Sequence, residues 1–275
     1  MRLKRRHSTA AVSLIVPMAF MLGGCQNMVV YFPARAPESQ LESQAAELGL
    51  VAWSRPGEGR IGWRRSSPYE SADRVVLFHG NAGHALHRAP FVRGFEGLRD
   101  QAWDVYLFEY PGFGSRPGRP GDGAFVESAI AAIDALVAED PDRPVYLVGE
   151  SIGTGVATQA AAARPDAVPG IMLITPFTSL IDAGRARFPG FLVEAILRDR
   201  YDNVRALEEY DGRVGVLIAG RDEVVPPELG RRLYEGYDGP KRLWVDDDAA
   251  HNTIDYSPAS PWWDEIARFL RDHSR

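Results

Sequence analysis

Two hydrophobic patterns alternate along most of this chain. Short runs of apolar, largely β-branched residues are typical of strands buried on both faces of a sheet, and they lie at residues 74–79, 105–109, 145–148, 170–175, 214–219 and 242–245. Between them, apolar residues recur at helical spacing, which predicts helices at residues 85–100, 124–138, 152–163, 229–237 and 261–270. Strands that alternate with helices favour a doubly wound, mostly parallel α/β sheet.

The remaining stretches predict the borders of this sheet. Residues 50–54 and 60–65 alternate between apolar and polar positions on either side of a Pro-Gly-Glu-Gly turn, which predicts an antiparallel hairpin. Residues 25–47 carry prolines and polar residues, so we expect a tether and a connecting segment ahead of a domain at residues 48–275. The pattern loosens at residues 177–213, where we expect a short cap over the edge of the sheet.

Composition fits a single α/β domain and excludes some classes of function. The 275 residues can bury a large core, and contents of 45% hydrophobic and 25% charged residues are ordinary for a globular protein. The net charge of −6 becomes −10 without the four basic residues that precede Cys25, which speaks against a nucleic-acid partner. The sequence has neither a zinc-type cysteine and histidine cluster nor a G-x-x-x-x-G-K phosphate loop.

The first 24 residues have the layout of a secretory signal. A basic stretch at residues 2–7 precedes an apolar stretch at residues 10–22 that is too short to span a bilayer as a stable helix. The segment ends in Leu-Gly-Gly before Cys25, the only cysteine of the chain, and this ending resembles the lipobox of bacterial lipoproteins.

This resemblance implies a lipidated Cys25, membrane attachment and a location in the bacterial cell envelope. Gln26 after the cysteine favours the periplasmic side of the outer membrane. The alternative is an ordinary signal, or an uncleaved anchor, with an incidental cysteine.

The strongest chemical motif is the G-x-S-x-G pattern at residues 149–153. It follows the predicted strand at residues 145–148 and precedes a predicted helix, which is the setting of a nucleophile elbow. We expect a strained backbone at Ser151 and a hydroxyl at the helix N-terminus, where negative charge is favoured. The alternative is a glycine-rich turn that carries an idle serine.

An activated serine needs a base, and the base needs an orienting carboxylate. In enzymes with this elbow the acid follows the serine and the histidine comes last, and Asp222 and His251 fill that order. Glu223 is the rival carboxylate, although the spacing to Pro226 favours Asp222. His79, His84 and His87 precede the serine and so compete poorly with His251, which could otherwise be a surface-loop histidine.

Two backbone amides are expected to form an oxyanion hole. One belongs to Ile152, the residue after the serine, and the other to the loop that begins with His79-Gly80. Asn81 is the preferred donor in that loop, with Ala82 as the alternative. The alternative is that this loop is a turn with no catalytic role.

These motifs together resemble the α/β-hydrolase superfamily, and in particular serine hydrolases similar to monoglyceride lipases and protein depalmitoylases. The resemblance is carried, in chain order, by Phe-His-Gly-Asn-Ala-Gly, Tyr-Pro-Gly-Phe-Gly, Gly-Glu-Ser-Ile-Gly-Thr, Pro-Phe-Thr-Ser, Asp-Glu-Val-Val-Pro and Ala-His-Asn. It implies hydrolysis of esters, thioesters or amides through an acyl-enzyme, without a metal or an organic cofactor. Ser115 directly after the second motif departs from the pattern and affects only the shape of that loop.

The sequence therefore predicts a membrane-anchored serine hydrolase that acts on acyl esters or thioesters. Two alternatives stay open at this point. One is a peptidase or amidase that uses the same three residues. The other is a non-catalytic envelope lipoprotein that uses the fold as a binding scaffold.

Overall fold

The computed structural model describes residues 30–67, 72–98 and 103–272. The predicted signal at residues 1–24 and the predicted lipidation site, Cys25, lie outside the described residues. No helix of the part that is described combines the length and the apolar character needed to cross a membrane.

The described residues form ten strands, and eight of them make one sheet. They are β1 (Phe32–Pro33), β2 (Val51–Arg55), β3 (Gly59–Arg65), β4 (Asp73–Phe78), β5 (Ala82–Gly83), β6 (Trp103–Phe108), β7 (Val145–Glu150), β8 (Gly170–Ile174), β9 (Arg213–Ala219) and β10 (Lys241–Asp246). The large sheet has the order β10-β9-β8-β7-β4-β6-β3-β2, and β1 pairs with β5 separately. From β10 to β6 neighbouring strands are parallel, whereas β3 and β2 run antiparallel to their neighbours. The predicted mostly parallel sheet and its antiparallel hairpin are confirmed.

Nine α-helices of the described residues surround this sheet. They are α1 (Glu38–Glu47), α2 (Ala89–Glu96), α3 (Asp122–Glu139), α4 (Ile152–Ala163), α5 (Leu180–Arg185), α6 (Gly190–Ile196), α7 (Asn203–Glu208), α8 (Pro227–Gly236) and α9 (Trp262–Arg271). Helix α1 falls inside the segment that we expected to be a tether and a connection, and its Leu41 and Ala45 are buried.

One predicted helix is wrong in its bounds. A continuous helix was expected over residues 85–100, but the structure has a 3₁₀ turn at Ala85–Arg88 followed by α2. Pro90 explains the break, because it lacks an N–H group and is accepted only in the first turn of an α-helix.

Alternate residues of each central strand face opposite layers of helices. In β4, Val76 and Phe78 belong to one hydrophobic cluster together with α3, α4 and α8, while Val75 and Leu77 belong to a second cluster together with α1, α2 and α9. Burial on both faces is the reason these strands read as uninterrupted apolar runs in the sequence.

The predicted cap region contains three short helices between β8 and β9. Helices α5 and α6 line a cavity above the carboxyl ends of the strands, whereas α7 packs against α4. Since the loops at the carboxyl ends of parallel strands meet at one edge of the sheet, motifs far apart in sequence gather beneath α5 and α6.

Candidate active site

Ser151 lies at the sharp turn between β7 and α4. Its φ angle is +53°, a left-handed conformation that residues with a side chain seldom adopt. Its amide donates a hydrogen bond to the carbonyl oxygen of Ile174 at 2.9 Å, which holds the turn against the neighbouring strand. The serine therefore precedes the first turn of α4, whose amides lack intrahelical acceptors and favour a negative charge.

Gly149 and Gly153 permit this turn because a side chain at either position would collide with backbone atoms. A Cβ on Gly149 would lie 2.5 Å from the carbonyl oxygen of Gly153, and a Cβ on Gly153 would lie 2.1 Å from that of Phe78. The close approach of strand and helix that the G-x-S-x-G pattern predicts is present.

The structure places His251 within hydrogen-bonding distance of both Ser151 and Asp222. Nε2 of His251 lies 3.0 Å from Oγ of Ser151, and Nδ1 of His251 lies 2.7 Å from Oδ2 of Asp222. An ionised carboxylate can only accept, so Nδ1 carries the hydrogen and Nε2 accepts that of the serine hydroxyl. Such an arrangement can draw a proton from an alcohol.

Asp222, and not its rival Glu223, is the carboxylate that meets His251. Its side chain is only 2% exposed, whereas Glu223 is exposed to solvent. Oδ1 of Asp222 accepts hydrogen bonds from the amides of Val224 at 2.7 Å and Val225 at 2.8 Å. These two bonds fix the orientation of the carboxylate, so Oδ2 is held toward the imidazole.

The three histidines that precede Ser151 among the described residues have other partners. Nε2 of His79 lies 3.4 Å from Oε1 of the buried Glu109, and the rings of His84 and His87 pack against each other at an angle of 35° with centroids 3.8 Å apart. Burial, reinforced by the nearby His87, lowers the pKa of His84 to about 4. His84 is therefore neutral at physiological pH.

In the loop after β4, both the N–H and the C=O of Gly80 make hydrogen bonds. The Gly80 amide donates to Oε2 of Glu150 at 3.2 Å, and the Gly80 carbonyl accepts from Nδ1 of His79 at 2.7 Å. The hydroxyl of Tyr110 donates to the His79 carbonyl at 2.8 Å. Burial raises the pKa of Tyr110 well above its usual value, so this donor keeps its hydrogen.

The residues predicted to supply the oxyanion amides lie on one cavity wall with Ser151. Asn81 and Ala82 follow Gly80 on this fixed loop, and Ile152 begins α4. The side-chain oxygen of Asn81 also accepts from the amide of Phe32 at 3.3 Å, which ties the N-terminal segment to the loop.

Sequence reasoning missed an ion pair beside the serine. Nε of Arg88 donates to Oε2 of Glu150, and the hydroxyl of Tyr256 lies 3.5 Å from the other oxygen of this carboxylate. Burial alone would lower the pKa of Arg88, but the attraction of Glu150 raises it overall. The only signal in the sequence is the position of Glu150 inside the elbow motif, because no spacing links residue 88 to residue 150.

A cavity of about 500 Å³ opens in front of Ser151. Apolar side chains from the cap and from the end of β8 form much of its wall, including Phe177, Leu180, Val193, Ile196 and Leu197. Phe188 and Leu192 also line it and are 61% and 42% exposed. The cavity can therefore hold an apolar group next to the serine.

Residues that could hold a metal ion were sought over the same ranges. Within residues 30–67, 72–98 and 103–272, no group of three or more histidine, cysteine, aspartate or glutamate side chains lies close enough to bind one.

Sequence comparison identifies a family model and several relatives that this chain matches. Residues 73–203 match the family model of the alpha/beta hydrolase fold. The uncharacterized protein Rv2307c of Mycobacterium tuberculosis is 31% identical over 281 residues, which cover 99% of this chain and 98% of that protein. The lysophosphatidylserine lipase ABHD12 of Macaca fascicularis is 28% identical over 67% of this chain, and the match spans about half of its length, 50%.

A solved structure shares the architecture. The Pyrococcus furiosus esterase Pf2001 superimposes with a TM-score of 0.65 at 19% identity, covering 88% of this chain and 97% of that one. The chain thus has the α/β-hydrolase fold, and it belongs to the same family as the Mycobacterium tuberculosis protein Rv2307c.

Proposed function

We propose that the protein is a serine hydrolase that cleaves carboxylic ester or thioester bonds through an acyl-enzyme. The observation that carries the proposal is the pair of contacts of His251, 3.0 Å from Oγ of Ser151 and 2.7 Å from Oδ2 of Asp222. A nucleophile, a base and an orienting acid in this geometry form a complete set for acyl transfer.

The reaction proceeds in two halves. Oγ of Ser151 attacks the carbonyl carbon while Nε2 of His251 takes the hydroxyl proton, and the same proton then passes to the leaving alcohol or thiol. In the second half, Nε2 of His251 takes a proton from a water molecule that attacks the acyl carbon, and it returns this proton to Oγ of Ser151 as the acyl–Oγ bond breaks and the acid leaves. Asp222 holds the imidazole in the required tautomer and stabilises the imidazolium, and it keeps its own charge throughout.

The oxyanion of each tetrahedral intermediate is stabilised by the amides of Ile152 and Asn81. The support for this assignment is their position on the cavity wall with Ser151 and the two bonds that fix the preceding Gly80 peptide. A fixed donor needs no reorganisation as charge develops, and losing one donor costs about 3–4 kcal/mol of transition-state stabilisation.

The acyl group of the substrate occupies the apolar cavity beneath α5 and α6. Apolar side chains there would bind an alkyl chain and exclude water from the ester. The lipase activity in the name of ABHD12 and the esterase activity in the name of Pf2001 agree with an ester substrate.

Hydrolysis of a series of p-nitrophenyl esters with acyl chains from two to sixteen carbons tests this function. We expect turnover that Ser151→Ala abolishes and a kcat/KM that rises with chain length. A flat or falling profile would contradict the lipid-like substrate. A preference for aminoacyl amides over esters would replace the esterase proposal with a peptidase or amidase.

The proposal includes attachment to the bacterial outer membrane, on its periplasmic side, through a lipidated Cys25. Its support is the lipobox-like ending of the N-terminal segment, and Val30, five residues later, lines the cavity. Five residues reach at most about 18 Å, so an anchor at Cys25 would keep the cavity and the exposed Phe188 that lines it near the lipid surface.

Mass spectrometry of the N-terminal peptide tests the attachment. We expect a diacylated or triacylated Cys25, and we expect Cys25→Ala to leave the membrane fraction while retaining ester hydrolysis. An unmodified Cys25 in the membrane-bound protein would overturn the lipid anchor without affecting the proposed chemistry.

A further inference from the structure

Arg88 lies on the cavity wall close to Ser151. Its Nε donates to Glu150, and its side chain keeps 20% of its surface exposed. The position of a Cβ on Gly80 would be 3.4 Å from a terminal nitrogen of Arg88 and 3.6 Å from Cβ of Ser151. The free end of the guanidinium is therefore next to the loop that faces the serine.

Most hydrogen-bond donors of this guanidinium have no protein partner. Of its five N–H groups, the one on Nε alone meets an acceptor among the residues that the structure describes. The Arg88 side chain is only partly buried, so these donors can bond to water and can exchange that water for a ligand. The terminal nitrogens of Arg88 are thus available to a molecule in the cavity.

The side chains that line the cavity carry a net positive charge although the chain is acidic, and the carboxylate of Asp222 lies behind His251. Arg88 and Arg187 line it against one carboxylate, Glu150, among the described lining residues, while the whole chain carries −6. A positively charged cleft attracts anions, and the planar fork of a guanidinium matches the oxygens of phosphate and carboxylate groups.

We infer that Arg88 binds an anionic group, a phosphate or a carboxylate, on the alcohol part of the ester substrate. The acyl chain fills the apolar part of the cavity, which leaves the charged group to the alcohol. Glu150 orients Arg88 through Nε and partly offsets its charge. The inference rests on the proposed ester hydrolysis and narrows the substrate class of that same site.

Two lipids with the same acyl chain test this subsite, namely 1-oleoylglycerol and 1-oleoylglycerol 3-phosphate. The measured quantity is the ratio of kcat/KM for the phosphate lipid to that for the neutral lipid, with the full chain in one detergent. We expect wild type to favour the phosphate lipid and Arg88→Gln to lower the ratio by about tenfold or more.

Glu150→Gln should change the ratio in the opposite direction. Glutamine keeps an oxygen that can accept from Gly80 and Arg88 but removes the negative charge, so the ratio should rise by about threefold or more. Arg164→Gln is the matched charge control, because Arg164 is an exposed arginine paired with Asp134. It should leave the ratio unchanged.

Two kinetic results would overturn the subsite. One is a wild-type preference for the neutral lipid. The other is a ratio that stays constant in Arg88→Gln while both activities fall together. That result would mean that the ion pair of Arg88 and Glu150 only stabilises the local structure.

Calorimetric binding to Ser151→Ala separates this inference from the proposed function. A preference for the phosphate lipid that disappears in the Ser151→Ala, Arg88→Gln double variant would support the subsite even without turnover. Wild type that binds with this preference but hydrolyses no ester would contradict the proposed function alone. Equal binding of the two lipids to Ser151→Ala would overturn the subsite.

Discussion

Oδ2 of Asp222 lies 2.7 Å from Nδ1 of His251, while Oδ1 of the same carboxylate is held by two backbone amides. The orientation of the imidazole is therefore set by a loop whose own geometry fixes the carboxylate. Glu223, the neighbour in sequence, is exposed and takes no part in this contact.

Replacing Asp222 with Asn should lower kcat for p-nitrophenyl butyrate by about 10⁴-fold, because an amide favours the wrong imidazole tautomer. Glu223→Gln is the matched control and should stay within about twofold of wild type, since exposed side chains contribute little. Steady-state kinetics at saturating ester decide the point. Equal losses in the two variants would contradict the assignment of the acid.

A methyl group on Gly153 should destabilise the fold. Its Cβ would lie 2.1 Å from the carbonyl oxygen of Phe78, a backbone atom that cannot move aside cheaply, so Gly153→Ala should cost about 2 kcal/mol or more. Gly123→Ala is the control, because a Cβ there meets nothing within 4 Å, and it should stay within about 1 kcal/mol of wild type. Urea unfolding measures both, and a wild-type free energy of unfolding for Gly153→Ala would refute the close approach.

Some parts of this site could be predicted from sequence for a physical reason. Strands buried on both faces must be continuously apolar, and the tight turn at Ser151 must have small flanking residues, so both leave a local signature. The order of Ser151, Asp222 and His251 then limits which side chains can meet at the carboxyl edge of the sheet.

Other parts have no local signature. The contact of Arg88 with Glu150 joins two charged residues far apart in the chain, and charged residues are common on every surface. The pairing of β1 with β5 depends on two-residue strands, which are too short to show alternation. The break before α2 does have a local signal in Pro90, although the apolar spacing around it favours a continuous helix.

His84 should make the stability of the fold depend on pH. Burial first, and then the nearby His87, lower its pKa to about 4 from an ordinary value near 6.5, so below pH 6.5 the unfolded chain binds a proton that the folded chain refuses. The contribution of neutral His84 to the free energy of unfolding is complete above pH 6.5. It is lost as the pH falls toward 4, by at most about 1.4 kcal/mol per pH unit.

His84→Gln should therefore lose less stability than wild type between pH 7 and pH 4.5. Urea unfolding at the two pH values gives the comparison, and the difference between the two proteins cancels the titration of other groups. Identical pH dependence in both would show that His84 is protonated equally well in the folded and unfolded states.

The preference of the enzyme for long or short acyl chains should depend on the space beside α5. Ala183 lines the cavity, so Ala183→Phe should fill part of it and lower the kcat/KM ratio of dodecanoate to butanoate esters by about tenfold or more. Ala195→Phe on α6 is the control, because Ala195 is exposed and does not line the cavity among the described residues. A ratio that changes equally in both variants would mean that the acyl chain binds elsewhere.

Labelling by a fluorophosphonate tests the central claim most directly, because this reagent phosphonylates only a serine that its own site activates. Mass spectrometry of the tryptic peptides should find one adduct, on Ser151, in wild type, and none in Ser151→Ala or His251→Ala. Labelling that persists in Ser151→Ala, or a folded wild type that takes up no label, would contradict the account.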